Sequence, residues 1–321
     1  MKNNNRLKHL FIYAIIVLLG SACTDFEEMN TDPSKSPSID PNVQLTMCQL
    51  QTWGNWRGSQ SFTFYLSGFM QYQQGDWNST SFGGQYRKSN NEFLQTWEEL
   101  YGNQVKNLVD IIHRTENDAS KHNIRQVSRI FKVYIFSILT DLYGDIPYFE
   151  AGRGYIGNIV KPKYDAQEDI YTDFLKELQE AADALDSDMD RITGDLIYGG
   201  NIAKWQRLAN SLSLRYAMRL TKVDPEKAKQ EVIRLTSNDY GFIQNQSEEA
   251  IINYSDIYDW DAAEVRRNAL SQMWRGREPY PTVYICRTLW DMLSLKMILV
   301  YMCTVVAMMK AVQIIHSAEL T

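Results

Sequence analysis

Histidine is scarce in this chain of 321 residues: His9, His113, His122 and His316 are the whole supply, and none stands at HExxH or a similar metal-ligand spacing. The histidines are therefore read as solvated side chains on helix edges and not as metal ligands. Cysteine is equally sparse. Cys23, Cys48, Cys286 and Cys303 include no CxxC pair and form no even-numbered framework once Cys23 is set aside, so disulfides are not expected to hold the fold together. The formal net charge is -6 and no block of Lys and Arg interrupts it, which argues against nucleic acid as a partner, because phosphate neutralisation needs clustered cations. Long apolar runs are missing too. Leu10 to Leu19 is too short to span a bilayer, and Met297 to Met309, bracketed by Lys296 and Lys310, falls short of the roughly twenty residues a span requires. Nothing in the sequence implies a cofactor.

What is present begins at the N-terminus. Lys2, Arg6 and Lys8 precede the run Leu10 to Leu19, which has the length of a secretory h-region, so the chain is expected to be exported. The run closes on Leu19-Gly20-Ser21-Ala22-Cys23, which resembles a bacterial lipobox with the leucine one place further out than usual. Residues 1–22 are read as a lipoprotein signal peptide and Cys23 as the acylated new N-terminus. The acidic cluster Asp25-Phe26-Glu27-Glu28 resembles a signal that sends lipoproteins to the cell surface. From Asn30 to Asn42, Pro33, Pro37 and Pro41 among Ser, Asp and Asn predict an extended tether without helix, so residues 23–42 form the anchor region and the folded part opens near Val43.

Beyond the tether, apolar residues recur at helical spacing. Phe93, Trp97, Leu100, Tyr101, Leu108 and Ile111 predict one amphipathic helix between Glu92 and Ile112. A second, from Ile124 to Leu142, is apolar on most sides in its later half and stops at Gly144 and Pro147. Asp165 three residues before Glu168 resembles a capping box for a third helix, whose stripe is Ile170, Phe174, Leu178, Ala181 and Leu185. A fourth begins after Gly199-Gly200 with Asn201 as N-cap, and a fifth opens at Asp224-Pro225, a cap followed by proline at the first helical position. The fold class is all-α, with helical pairs of tetratricopeptide type and irregular loop insertions, although no regular thirty-four-residue period is present.

Three segments carry a more specific likeness. Thr140-Asp141-Leu142-Tyr143-Gly144-Asp145-Ile146-Pro147-Tyr148 resembles the "YGDIPY" signature of the SusD/RagB family. Tyr164-Asp165-Ala166-Gln167-Glu168-Asp169-Ile170-Tyr171 and then Trp205-Gln206-Arg207-Leu208-Ala209-Asn210-Ser211-Leu212, continued by Leu214-Arg215-Tyr216-Ala217-Met218-Arg219, follow in that family's order. The resemblance covers roughly residues 20 to 284, and its motifs read physically as turn, cap and packing face. It implies a surface-exposed outer-membrane lipoprotein that binds oligosaccharide and hands it to a SusC-like TonB-dependent transporter, without catalysis. The alternatives are peptide uptake or a purely structural subunit of such a transporter. Family members run longer, and after Tyr284 the composition changes, with Met292, Met297, Met302, Met308 and Met309 crowding together. Residues 43–284 are thus expected to form an incomplete SusD-like domain and 285–321 an aberrant tail, the product of a shifted frame or an early end. That expectation adds a further alternative, that the chain is a non-functional remnant of such a protein.

Chemistry-bearing clusters are few. Asp186, Asp188 and Asp190 imitate the first half of a calcium loop, but Arg191 stands where the loop needs Gly and Ile197 where it needs Glu. Asp256, Asp259, Asp261 and Glu264 are read as surface charge and not as a glycosidase pair. Sugar binding calls for flat aromatic faces flanked by hydrogen-bonding side chains. Two segments supply that mixture: one contains Tyr72, Asp76, Trp77, Asn78 and Tyr86, the other Tyr258, Trp260 and Trp274. Trp53, Trp56, Trp97 and Trp205 are read as packing residues.

Overall fold

The computed structural model describes residues 39–55, 57–58, 61–75, 83–87, 90–255, 265–269, 271 and 283–294. Its principal helices are α1 (Pro41–Gly54), α2 (Asn90–Glu99), α3 (Lys106–Arg114), α4 (His122–Tyr143), α5 (Gln167–Ala184), α6 (Ile202–Arg219), α7 (Pro225–Ser237) and α8 (Arg287–Ser294). A two-stranded antiparallel sheet joins β1 (Gln73–Gly75) to β2 (Val283–Ile285). The fold is all-α, as the periodicity predicts. From α3 to α7 each helix packs on the next in sequence, the neighbour-on-neighbour order of tetratricopeptide-like pairs. The described elements continue past Tyr284 through β2 and α8.

α4 is the centre of the core. Ile124, Val127, Ile130, Ile135, Phe136 and Leu139 are all buried along it. Asn201 caps α6 by accepting from the Lys204 amide, and Asp224 caps α7 through the Lys227 amide with Pro225 in the first turn, both as the sequence predicts.

Three local expectations change. The predicted helix between Glu92 and Ile112 is continuous but widens into a π-helical segment at Leu100–Val105 between α2 and α3. That widening brings Leu100 and Val105, five residues apart, to the same buried side. Helix α1 starts at Pro41, inside the stretch read as tether, because proline fits the first turn of a helix as well as it fits an extended chain. Its Asn42 carboxamide accepts from the Thr193 and Gly194 amides at 3.0 and 3.1 Å, so this end of the helix is fixed to the α5–α6 connection.

The third change concerns the α4–α5 joint. Asp165 does not cap α5. Its carboxylate accepts from the amides of Tyr148 and Phe149, both at 3.0 Å, while Asp145 accepts from the Gln167 amide at 2.9 Å. Each aspartate thus satisfies amides of the other's segment, and the Ile146–Asp165 bridge locks the two together. Gly144 ends α4 at φ +76°, a backbone conformation that favours glycine. Asp141 accepts from the Tyr171 hydroxyl at 2.5 Å and pairs with Arg219 at 3.0 Å, so all three sequence motifs meet at one joint.

A charged cluster ties α4 to α5. Glu177 accepts from Arg129 at 3.1 and 3.2 Å and from Lys132 at 3.3 Å. Burial raises the Glu177 pKa, but the Lys132 charge and the Arg129 hydrogen bonds outweigh it and hold the carboxyl at about 2 against an ordinary 4.5. A folded-state pKa below the unfolded one stabilises the fold fully above about 4.5, and that contribution is lost as pH falls through about 2. Glu177→Gln is expected to remove on the order of 3 kcal/mol of this pH-dependent stability. Urea titrations of both proteins at neutral and acid pH test it, and parallel losses in the two on acidification would refute the assignment.

Candidate functional site

Of the two aromatic segments proposed for ligand binding, the structure describes the roots. Asp76, Trp77, Asn78, Tyr258, Trp260 and Trp274 lie outside the described residues, as does Cys23. Tyr72 and Tyr86 lie within them. The three-residue sheet pairs Gln73 with Ile285, Gln74 with Tyr284 and Gly75 with Val283. The chain therefore leaves β1 toward Trp77 beside the point where the segment carrying Tyr258, Trp260 and Trp274 returns into β2. Two further bonds fasten this root: the Cys286 amide donates to the Tyr72 carbonyl at 3.0 Å, and Thr288 donates to the Gln71 side chain at 3.1 Å.

The first segment closes back on the same frame. Gly68 and Gly83 touch, and a Cβ on Gly68 would stand 2.8 Å from the Gly83 backbone, so only glycine permits this approach. The contact lays Tyr86 on Phe69, ring planes 4° apart and centroids 5.4 Å apart, with the Tyr86 hydroxyl donating to the Phe69 carbonyl at 3.2 Å. Tyr86 remains 60% exposed, Tyr284 is 50% exposed on β2, and Trp290 is 57% exposed on α8. Flat aromatic faces thus stand open to solvent around the shared root, which is what stacking against a pyranose ring requires. Tyr284 and Trp290 were not among the residues expected from sequence; nothing in their local pattern sets them apart from packing aromatics.

A second concavity lies on the helical body. It encloses about 440 Å³ and is lined by Trp53 of α1, Phe131 and Tyr134 of α4, Arg215 of α6, and Tyr254. Trp53, read from the sequence as a packing residue, lines this space and meets Phe62 edge to face at 5.3 Å. Trp205 and Trp97 do pack: Trp205 is fully buried, and Trp97 sits among Tyr101, Tyr143 and Tyr164. Trp56 lies outside the described residues. Burial pushes the Tyr134 phenol up and raises Tyr254 to about 12, so both hydroxyls stay protonated. Ile130, Ile197, Leu208, Leu212 and Ile251 give most of the remaining lining an aliphatic character, with Thr52 and Asn268 as its polar members.

Two of the three aspartates of the calcium-like stretch are engaged within the fold. Asp190 of the calcium-like stretch accepts from the Asn123 amide at 2.5 Å and the Ile124 amide at 3.3 Å, capping α4, and Asp186 accepts from the Asp188 amide at 2.9 Å. Among the described residues no group of three His, Cys, Asp or Glu is placed to hold a metal, and no helix is long and apolar enough to cross a membrane. The acidic residues Asp256, Asp259, Asp261 and Glu264 and the stretch Met297 to Met309 lie outside the described residues. Cys48 and Cys286 are free thiols; burial pushes Cys48 up to about 12.

The SusD-like family model described as "Starch-binding associating with outer membrane" matches residues 33–293. A solved SusD-like protein of Bacteroidetes AC2a is 38% identical with a TM-score of 0.74, over 80% of this chain and 48% of that one. A solved chitin-binding protein is 34% identical with a TM-score of 0.70, over 79% of this chain and 52% of its own. A SusD homologue from Parabacteroides distasonis, at 24% identity and a TM-score of 0.62 over 73% of this chain and 45% of its own, shares the fold. The chain spans about half the length of these solved structures. No curated protein matches it.

Proposed function

We propose, because this chain belongs to the SusD-like family described as starch-binding and associating with the outer membrane, that it captures oligosaccharide at that membrane for uptake. The observation that carries the reading is the shared root of the two aromatic segments at β1 and β2, flanked by the exposed rings of Tyr86 and Tyr284. A glycan chain would stack its apolar ring faces on these aromatics, Trp77 and Trp260 among them. Asp76 and Asn78 would take the hydroxyls. The role is binding, not catalysis. Acylation of Cys23 would hold the chain on the membrane, its folded part facing the exterior, and a SusC-like TonB-dependent transporter would receive the ligand.

Trp77→Ala tests the ligand side. Loss of one stacking ring is expected to weaken binding about tenfold, equivalent to roughly 1.4 kcal/mol, without lowering the melting temperature. Because one similar protein is named as chitin-binding and the family as starch-binding, calorimetry with chito- and malto-oligosaccharides is the direct assay. Undiminished affinity in the variant would remove the first segment from the site. Failure of both sugar series to bind the unaltered chain would remove the glycan reading itself.

A further inference from the structure

Between Tyr148 and Asp165 the chain makes an excursion whose shape is fixed at both ends. At the base, Ile146 and Asp165 exchange backbone hydrogen bonds of 3.2 and 2.9 Å, and the Lys163 amide donates to Glu150 at 3.0 Å. Tyr164 stacks on Trp97 with centroids 6.2 Å apart. At the tip, a helical turn at Gly154–Gly157 ends in Asn158 with φ +54°, and the amides of Gly157 and Ile159 both donate to the Arg153 carbonyl, at 2.9 and 3.4 Å. Gly152, at φ +70°, sits so close to α3 that a Cβ would meet Val109 at 3.2 Å.

This ordered backbone presents side chains that are largely uncovered. Tyr155 is 97% exposed, Val160 78%, Tyr164 65% and Phe149 45%. Such a concentration in one short loop is unlike the isolated exposed apolar residues of an ordinary surface. Its charge also departs from that of the whole. Arg153, Lys161 and Lys163 against Glu150 give the loop +2 in a chain of -6, and among the described residues none of these three cations forms an ion pair.

We propose that residues 149–164 are a docking finger for a partner protein whose surface offers an apolar slot rimmed by carboxylates. Aromatic and arginine anchors on a preorganised backbone concentrate binding energy because little rotamer or loop entropy is lost on contact. A lipid surface fits less well. Interfacial binding grows with the apolar area of an amphipathic helix, whereas the finger's helical turn is four residues long. Two of its four exposed apolar groups, Phe149 and Tyr164, stand at the base, where a slot reaches them and a flat bilayer does not. Identifying the partner as the outer-membrane transporter rests on the proposed function; the finger's chemistry does not.

The test is site-specific photocrosslinking in outer membranes, with the full chain carrying p-benzoylphenylalanine in place of Tyr155 or, as a control, of Val223, which is 79% exposed beside α7. Position 155 is expected to give a protein adduct at about tenfold the yield of position 223, identified by mass spectrometry as an integral outer-membrane barrel. Arg153→Glu with Lys161→Glu should abolish it. Equal yields at the two positions, an adduct that survives charge reversal, or lipid adducts alone with binding to phosphatidylglycerol vesicles would each overturn the finger. A barrel adduct from position 223 only would overturn the finger while leaving the transporter partner standing. An acidic partner other than a barrel, captured from position 155 and lost on charge reversal, would keep the finger and remove the transporter.

Discussion

Asp195→Ala is expected to cost roughly 4 kcal/mol of folding stability, a large share of the 5–15 kcal/mol that holds a typical domain together. The carboxylate is 5% exposed and accepts five hydrogen bonds. Trp205 Nε1 donates at 2.7 Å, the amides of Ile197, Tyr198 and Gly200 at 3.0, 3.2 and 2.9 Å, and Gln49 Nε2 at 3.0 Å. Trp205 is fully buried, so its indole N–H has no water to turn to. Gln49 answers by accepting from the Leu196 amide at 2.7 Å, which makes the carboxylate the pin between α1, the α5–α6 connection and the start of α6. Alanine would leave these donors unpaired at about 1–3 kcal/mol for each that stays buried. Urea unfolding measures the loss, with Asp195→Asn retaining part of the acceptor set and falling between the two. A cost below about 1 kcal/mol would mean that water enters and replaces the carboxylate, and the pin would be dispensable.

Much of this architecture is legible in sequence because it depends on local signals. α4, α5 and α6 announce themselves by apolar residues at helical steps, and Asn201 and Asp224 by their place before the first turn. α1 gives no such signal. Its buried face carries Gln44, Gln49 and Thr52 beside Leu45 and Cys48, so the hydrophobic period is broken. Its two glutamines are satisfied by distant partners, whereas Thr52 donates to the Cys48 carbonyl within the helix: Gln44 Nε2 donates to Asn107 and Asp110, and Gln49 bonds Asp195, 146 residues away. The exchange of caps between Asp145 and Asp165 was missed for a related reason. A capping box looks the same in sequence whether the aspartate serves its own helix or the turn opposite. The segments proposed for ligand binding show a similar division. Their aromatic and polar composition is readable, whereas their common root is not, since Gln-Gln-Gly has no strand alternation and Gln71 meets Thr288 across 217 residues. Tyr72 and Tyr86 stand on the described frame of that root, and Tyr284 and Trp290 join them through tertiary structure alone.

Cys23→Ser is expected to release the chain from the membrane fraction almost completely. The argument is one of area: each methylene buried in a bilayer contributes about 0.8 kcal/mol, so a palmitoyl-length chain supplies on the order of 10 kcal/mol before the cost of immobilisation. Among the described residues no helix offers a comparable anchor. The proposed finger contact, because it relies on three cations, is sensitive to ionic strength in a way that an acyl chain is not. Fractionation in low and high salt, combined with palmitate labelling, therefore separates the two contributions. Unaltered protein should label and stay bound in both conditions. Cys23→Ser should fail to label, with any residual attachment disappearing as salt is raised. A variant that neither labels nor leaves the membrane in high salt would show that attachment does not depend on Cys23. Unaltered protein that is unlabelled from the outset would place the cleavage elsewhere than Ala22-Cys23, where the displaced Leu19 already departs from the usual lipobox spacing.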